Sequence, residues 1–423
     1  MTPSYGWYGD DFTGATDTLA TLARRGQRAF LFLRLPEERH LAEVGELDAV
    51  GIAGAARTMT RAEIRSELSP VGEFFRRLGV RVIHYKCCST FDSAPERGNI
   101  AAAISVLRDY VDHPGVAIVG GQPSLGRYCA FSNLFAASGL EGDVFRLDRH
   151  PTMSGHPATP MTEADLRRHL TLLGLPAVAA IHWPLLVKSD HLVREEWERL
   201  SQGSQAILFD ALEQCHVEAV GRLCKSQSKQ RSLLMVGASS VAQACFEEAG
   251  DSLSGPSAAP GPVLAFVGSL SPTTRGQVAA ARSYHRIPVD PDDLTTSAHL
   301  REQVVDKAVA ALAQGLNVML STAPETGEAP PAATDSLADL SGLVVDSILK
   351  RHPVRRLAIA GGDTSSKIVG RLGFWGLGYQ GQISNGVAVS VARSSDKARD
   401  NMHLLLKGGQ MGHTQLFETF LAD

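Results

Sequence analysis

The dominant pattern along the chain is alternation. Short apolar runs, "RAFLFLRL" (28–35), "LDAVGIAG" (47–54), "VRVIHYK" (80–86) and "GVAIVGG" (115–121), alternate with stretches of helical period at 13–26, 60–78 and 98–112. Short β-rich runs separated by helical patterns predict βαβ units and a mainly parallel sheet. The alternation holds to about residue 180, and "GDSLSGPSAAPGP" (250–262) breaks the periodicity on both sides. It restarts with "VLAFVGS" (263–269), a helical "TTRGQVAAARSYH" (273–285), an amphipathic helix around 299–315, "NVMLSTA" (317–323), a helix near 338–351 and "RRLAIAGGDTSSKIVGRLG" (355–373). "GVAVSVAR" (386–393) and "HLLLKGGQMG" (403–412) carry the last strand signals, and "PETGEAPPAATD" (324–335) is expected as an exposed loop.

The fold class that follows is α/β, with two α/β domains and mainly parallel sheets. A chain of 423 residues exceeds the size at which one core usually keeps growing. The Gly-, Pro- and Ser-rich break therefore marks a domain boundary: residues 1–250, a linker at 251–262, and residues 263–423.

Composition narrows the class of partner. The chain is 44% hydrophobic and 20% charged, and 41 Lys and Arg against 45 Asp and Glu leave a net charge of −4. With no basic block, neither nucleic acid nor a membrane surface is an expected partner. The six cysteines show neither metal-ligand spacing nor a disulfide framework, the N-terminus lacks a signal-peptide pattern, and no run reaches the ~20 apolar residues of a membrane span. A reducing, cytoplasmic setting is the expectation.

In a parallel sheet, ligands bind beyond the carboxyl ends of the strands, so the polar residues after each apolar run are the ones to examine. The first run ends in "YGDDFTGATDTLA" (8–20), with Asp10 and Asp11 adjacent and Asp17 in the helix that follows. One acid suffices to cap a helix; a second adjacent acid gains little from the helix and is repelled by its neighbour, which points to function for the pair. Arg57, Lys86, Ser89, Thr90, Asp92, Arg127 and His156 follow later runs or lie in loops between them. Short donors and acceptors of both signs suit a small polyhydroxylated anion: cations for a carboxylate, aspartates and hydroxyls for sugar hydroxyls.

The second half has a different character. Glycine punctuates its strand ends in "VGSLS" (267–271), "AGGDTSSK" (360–367) and "KGGQMG" (407–412). Glycine admits a ligand close to the backbone, and successive N–H groups at a helix start suit phosphate, so three such loops at one edge would make a nucleotide site. Standard nucleotide motifs are absent: the Walker pattern lacks its glycine before Lys367, and "GLGYQG" (376–381) does not open a helix. "GASSV" (237–241) lacks the second glycine of a nucleophile elbow.

"DDFTGATD" (10–17), "KCCSTFDSAPERGNI" (86–100), "HPATPM" (156–161), "GGDTSSKIVGRLG" (361–373) and "KGGQMG" (407–412) resemble, in order, the signatures of the four-carbon acid sugar kinase family. The resemblance implies an ATP-dependent kinase acting on the terminal hydroxyl of a threonate, erythronate or 3-oxo-tetronate, with Mg²⁺ alongside ATP. It also implies an active site in the interdomain cleft, with the acid sugar on the N-terminal domain and the nucleotide on the C-terminal one. The ATP contacts it carries onto this chain are Ser269, with Ser271 as fallback, then Gly361, Gly362, Asp363 and Thr364, and Gly409 with its neighbour Gly408. Kinases of related oxidised or branched acids such as 3-oxo-isoapionate share these motifs.

On this expectation Asp10 or Asp11 serves as the base, Asp17 supports the turn, and Lys86 and Arg127 hold the substrate carboxylate. The metal ligands and the choice between monomer and homodimer are left open. A non-catalytic sugar-acid sensor would keep the acids but have no use for three nucleotide loops, and a metal-dependent lyase would need ligands whose spacing the sequence does not show.

Overall fold

The computed structural model describes residues 3–138, 142–156, 159–248, 259–322, 335–384 and 386–422, with the side chains of Asp335, Ser336 and Asp363 outside that description. The loop expected at 324–335, apart from Asp335, which opens the helix Asp335–Arg351, and most of the expected linker thus fall outside the described residues. The chain divides into two compact units, Met1–Asp251 and Ser252–Asp423.

The strands of the first unit are β1 (Tyr5–Gly9), β2 (Ala29–Phe32), β3 (Ala49–Ala53), β4 (Val82–Lys86), β5 (Val116–Val119), β6 (Arg127–Ala130), β7 (Asn133–Ala137), β8 (Val144–Arg146), β9 (Val178–Ile181), β10 (Ala206–Phe209) and β11 (Leu233–Gly237). Eight of them pair in parallel in the order β2-β3-β1-β4-β11-β5-β10-β9, while β6, β7 and β8 form a small antiparallel sheet. Strands β1, β3, β4, β5, β10 and β11 are buried along their whole length, which is why they read as continuous apolar runs rather than alternating ones. Register aligns their carboxyl ends: Gly9 lies opposite both Ala53 and Lys86, and Lys86 opposite Gly237.

The second unit contributes β12 (Val263–Val267), β13 (Tyr284–Pro288), β14 (Asn317–Ser321), β15 (Arg356–Ala360), β16 (Phe374–Ser384), β17 (Val387–Ser394) and β18 (Met402–Lys407). Its sheet runs β13-β14-β12-β15-β18-β17-β16, parallel from β13 to β18, with β17 antiparallel to both neighbours. Val267, Ala360 and Lys407 end in register on the three central strands.

Three details depart from the sequence reading. The alternation continues past residue 180 to the helix Ser240–Cys245, carried by β9, β10 and β11, strands of four or five residues and too short to give a period. The helix expected over 273–285 stops at Ala280, and Tyr284 opens β13, where Tyr284 and Ile287 are buried and His285 is exposed. "GLGYQG" lies inside β16, whose glycines accompany register shifts against β17.

The strand that leads into Asp10 and Asp11 is fixed by close packing. Trp7 is fully buried and sits opposite Gly51 on β3, where an added Cβ would lie 2.2 Å from the indole ring. Gly51→Ala is expected to lower stability by ~1–3 kcal/mol through overpacking, measured by urea or thermal unfolding.

Candidate active site

The helix Phe12–Arg24 begins where β1 ends, and Asp11 is its N-cap. One Asp11 oxygen accepts the Gly14 N–H at 2.5 Å and the Thr13 hydroxyl at 3.0 Å; the other accepts Arg57 Nη1 at 3.0 Å. Burial by itself would raise the pKa of Asp11, but Arg57, Lys86 and the Gly14 N–H outweigh it and hold the carboxyl below its ordinary value.

Asp10 is placed by its backbone. Its N–H donates to the Lys86 carbonyl at 3.0 Å and its carbonyl accepts the Arg57 N–H at 3.1 Å, so it is latched to the end of β4 and to the turn Ala56–Thr58 that follows β3. Its side chain is handled differently: Asp10 is 3% exposed, and Oδ1 is buried with no hydrogen-bond partner. Burial, then the charge of Asp11, raises its pKa to about 7, against the smaller opposing pull of Lys86 and Arg57. Two adjacent acids thus have opposite environments.

Arg57 ties this turn to the next. Its Nη2 donates to Asp92 Oδ2 at 2.6 Å, while Asp92 also accepts the hydroxyls of Thr90 at 2.5 Å and Thr159 at 3.1 Å. Burial would raise Asp92, yet Arg57 and the side chains of Thr90 and Cys88 hold it far below the usual carboxylate range. The Thr159 N–H donates to His156 Nδ1 at 3.2 Å, which brings His156 into the same cluster, and Ser89 sits half-buried on the turn before Thr90. Lys86 is 4% exposed at the end of β4, and its ammonium donates to the Cys87 carbonyl at 2.8 Å. Burial opposes its charge, but Asp11, Asp10 and Asp17 together raise its pKa. Asp17 accepts the Ser239 hydroxyl at 2.5 Å, which anchors the helix to the residues just past β11.

Arg127 stands outside this ion-pair network. It opens β6 and donates through Nη1 to the Leu125 carbonyl, its Nε is buried without a partner, and it pairs with no carboxylate among the described residues. Nearby Gln122 Oε1 is likewise buried without a partner. Burial lowers the pKa of Arg127.

In the second unit the three glycine loops meet. Ser269 follows β12; Thr274 Oγ1 lies 3.1 Å from Ser269 Oγ and 2.7 Å from the Gly409 carbonyl. Ser271 caps the helix Pro272–Ala280, accepting the Thr274 N–H at 3.1 Å, and its hydroxyl donates to the same Gly409 carbonyl. Gly361 has φ +124°, a conformation side chains rarely adopt, and precedes the helix Gly362–Arg371; its N–H donates to the Lys407 carbonyl at 3.0 Å. Thr364 packs so close to Gly268 that an added Cβ there would lie 2.5 Å from Thr364 Oγ1. Gly408 makes a turn, its carbonyl accepting the Met411 N–H at 3.2 Å. The result is a backbone-lined edge with two helix N-termini, chemistry that fits phosphate. The Asp363 side chain lies outside the described residues.

Sequence reasoning overlooked Thr159, Ser239, Thr274, Gln277 and the ammonium of Lys407. The Ser-Pro pair at 271–272 marks a capped helix start and could have placed Thr274. Thr159 lies within "HPATPM" and Ser239 within "GASSV", a stretch considered only for a nucleophile; nothing local gives their bonds to Asp92 and Asp17, 67 and 222 positions away.

Two domain models match the chain: a sugar-binding N-terminal domain over residues 5–245 and a nucleotide-binding C-terminal domain over residues 264–417. The 3-oxo-isoapionate kinase of Paraburkholderia graminis is 34% identical, covering 97% of this chain and 92% of its own length. The 3-oxo-tetronate kinase of Cupriavidus necator is 29% identical, covering 99% and 96%. Among solved structures, a Salmonella typhimurium LT2 protein shares the fold with a TM-score of 0.80 at 24% identity, covering 99% of this chain and 98% of its own. The chain therefore belongs to the four-carbon acid sugar kinase family and is a phosphotransferase with an alcohol group as acceptor.

Proposed function

We propose that this kinase uses ATP to phosphorylate the terminal hydroxyl of a four-carbon acid sugar, threonate, erythronate or 3-oxo-tetronate, giving the 4-phosphate. The N-terminal unit holds the acid sugar and the C-terminal unit the nucleotide. A branched oxidised acid is the second reading, favoured by the similarity to a 3-oxo-isoapionate kinase.

The observation that carries the mechanism is the contrast between Asp10 and Asp11. In phosphoryl transfer the protein positions the γ-phosphate in line with the hydroxyl and offsets charge, while a carboxylate accepts the hydroxyl proton. Asp11 has both oxygens engaged and is held ionised, a weak base. Asp10 has a free buried oxygen and a pKa of about 7, matched to proton transfer at neutral pH. Asp10 is the general base in this reading, Asp11 and Asp92 hold Arg57, and Lys86 balances the acids. Arg127, a cation with no described carboxylate partner, takes the substrate carboxylate.

On the nucleotide side, Ser269, Thr364 and the amides of Gly362, Gly408 and Gly409 hold the phosphates, with Asp363 at the same helix start, while the Gly361 N–H and the Ser271 hydroxyl shape the loops through their bonds to the Lys407 and Gly409 carbonyls. Among the described residues no three His, Cys, Asp or Glu gather as a metal site. Mg²⁺ keeps most of its waters and binds substrate phosphates with one or two carboxylates at most, so it enters as the counter-ion of ATP. No helix among the described residues is long and apolar enough to cross a membrane.

An ATP-consumption screen over C4 and C5 aldonates, their oxo forms and neutral sugars tests the substrate. Turnover with a sugar acid is expected, and inert acids beside a reactive neutral sugar would refute the assignment. Asp10→Asn should lower kcat by at least ~10²-fold with nucleotide affinity near wild type. The same variant should melt higher than wild type at alkaline pH. Because the folded pKa of Asp10 lies above 3.8, its contribution to stability is present at low pH and lost as pH rises from about 4 to 7. The gain of Asp10→Asn should therefore be largest at pH 8 and shrink toward pH 5, as read by calorimetry.

A further inference from the structure

Lys407 is fully buried at the end of β18 and carries more hydrogen bonds than its place in a glycine loop requires. Its ammonium donates to Thr274 Oγ1 at 2.7 Å, Gln277 Oε1 at 2.6 Å and the Gly409 carbonyl at 3.3 Å. Three acceptors match the three protons of the charged form. Gln277, in turn, donates through Nε2 to the carbonyls of Met411, Gly412 and His413 at 3.0 to 3.1 Å. Lys407 and Gln277 together fasten the loop 409–413 to the helix Pro272–Ala280.

The fastening has a direction. The Gly409 carbonyl accepts from Ser271, Thr274 and Lys407, so it faces the helix. A trans peptide sets its N–H opposite its carbonyl, and the Gln410 N–H therefore faces away from Lys407.

The charge itself has no described partner. Facing the ammonium are a hydroxyl and an amide of the helix and one loop carbonyl. No described carboxylate, imidazole or guanidinium from β15, β17, the helix Gly362–Arg371 or His413 enters its electrostatics, and burial alone lowers its pKa to about 7. The cation of the first unit is treated in the opposite way, since Lys86 is surrounded by three acids.

We propose that Lys407 is the positioning residue of the phosphate-binding loop: its buried ammonium aims the loop amides at the nucleotide, and the nucleotide's phosphates supply the counter-charge that the fold withholds. This rests on the nucleotide reading of the second unit. It has a thermodynamic consequence, because an anion placed near a partly deprotonated lysine favours its charged form, so nucleotide binding takes up a proton above neutral pH.

Calorimetric titration of the full chain with MgADP at pH 8, in buffers of different ionisation enthalpy, reads that proton directly. Wild type should take up a sizeable fraction of ~1 proton per nucleotide. Lys407→Met should abolish the uptake and weaken MgADP by ~10-fold or more, whereas a merely structural lysine would weaken binding without changing the proton count. Nucleotide binding by wild type with no proton uptake, or a Lys407→Met protein with wild-type uptake, overturns the role of Lys407 and leaves the kinase reading standing. If wild type binds no MgADP at all, the nucleotide reading fails and this inference with it. If Lys407→Met does not fold, Lys407→Arg, which keeps the charge but does not titrate in this range, should bind MgADP without the proton uptake of wild type, and uptake equal to wild type in that variant overturns the proposal.

Discussion

The site of the first unit depends on one guanidinium. Arg57 bridges two buried carboxylates, Asp11 and Asp92, that come from the ends of β1 and the turn after β4. Bringing those acids out of water without a cation would cost several kcal/mol each, and the guanidinium fork meets both with charge-assisted bonds. Its backbone N–H also donates to the Asp10 carbonyl, so the same residue fixes the ionised partner and places the unpaired one. Burial and the Asp11 charge raise the Asp10 pKa to about 7, and Arg57, whose guanidinium nitrogens bond Asp11 and Asp92, offsets this only in part.

This arrangement separates scaffold from chemistry within two adjacent positions. Asp11 satisfies a helix start, a salt bridge and a turn, and gains stability from each. Asp10 gains little, carrying a buried oxygen without a partner next to a like charge. A buried polar atom left unpaired is costly and rare, and such local cost concentrates where a ligand completes the bonding. The second unit repeats the logic with opposite sign, holding a buried cation with no acid beside it among the described residues, next to loops that suit anions.

Much of this was legible in the sequence, for identifiable reasons. Strands buried on both faces give apolar runs that end abruptly, so the hydrophobic pattern alone puts Asp10, Asp11 and Lys86 at strand ends. The doubled acid was recognisable as one cap and one surplus charge, but which was which depended on Arg57, 46 positions away from Asp11. Thr159 and Ser239 stood in stretches the sequence already marked, but their roles could not be read there because they exist only through distant partners. The hairpin of β16 and β17 was obscured by glycines that break a strand pattern while permitting its register shifts. Lys407 stood in a recognisable motif, yet nothing in "KGGQMG" announces that its ammonium turns inward to a hydroxyl and an amide on another helix.

Everything assigned to the first unit turns on the two adjacent acids differing in charge at neutral pH. Carbon-13 NMR titration of aspartate carboxyl groups, with Asp10→Asn and Asp11→Asn spectra to assign the signals, measures this in the free protein. The Asp10 carboxyl is expected to titrate near pH 7 while Asp11 stays ionised to below its ordinary value. An Asp10 carboxyl that titrates at or below pH 4, or an Asp11 carboxyl that takes the higher value, would contradict the assignment of the base.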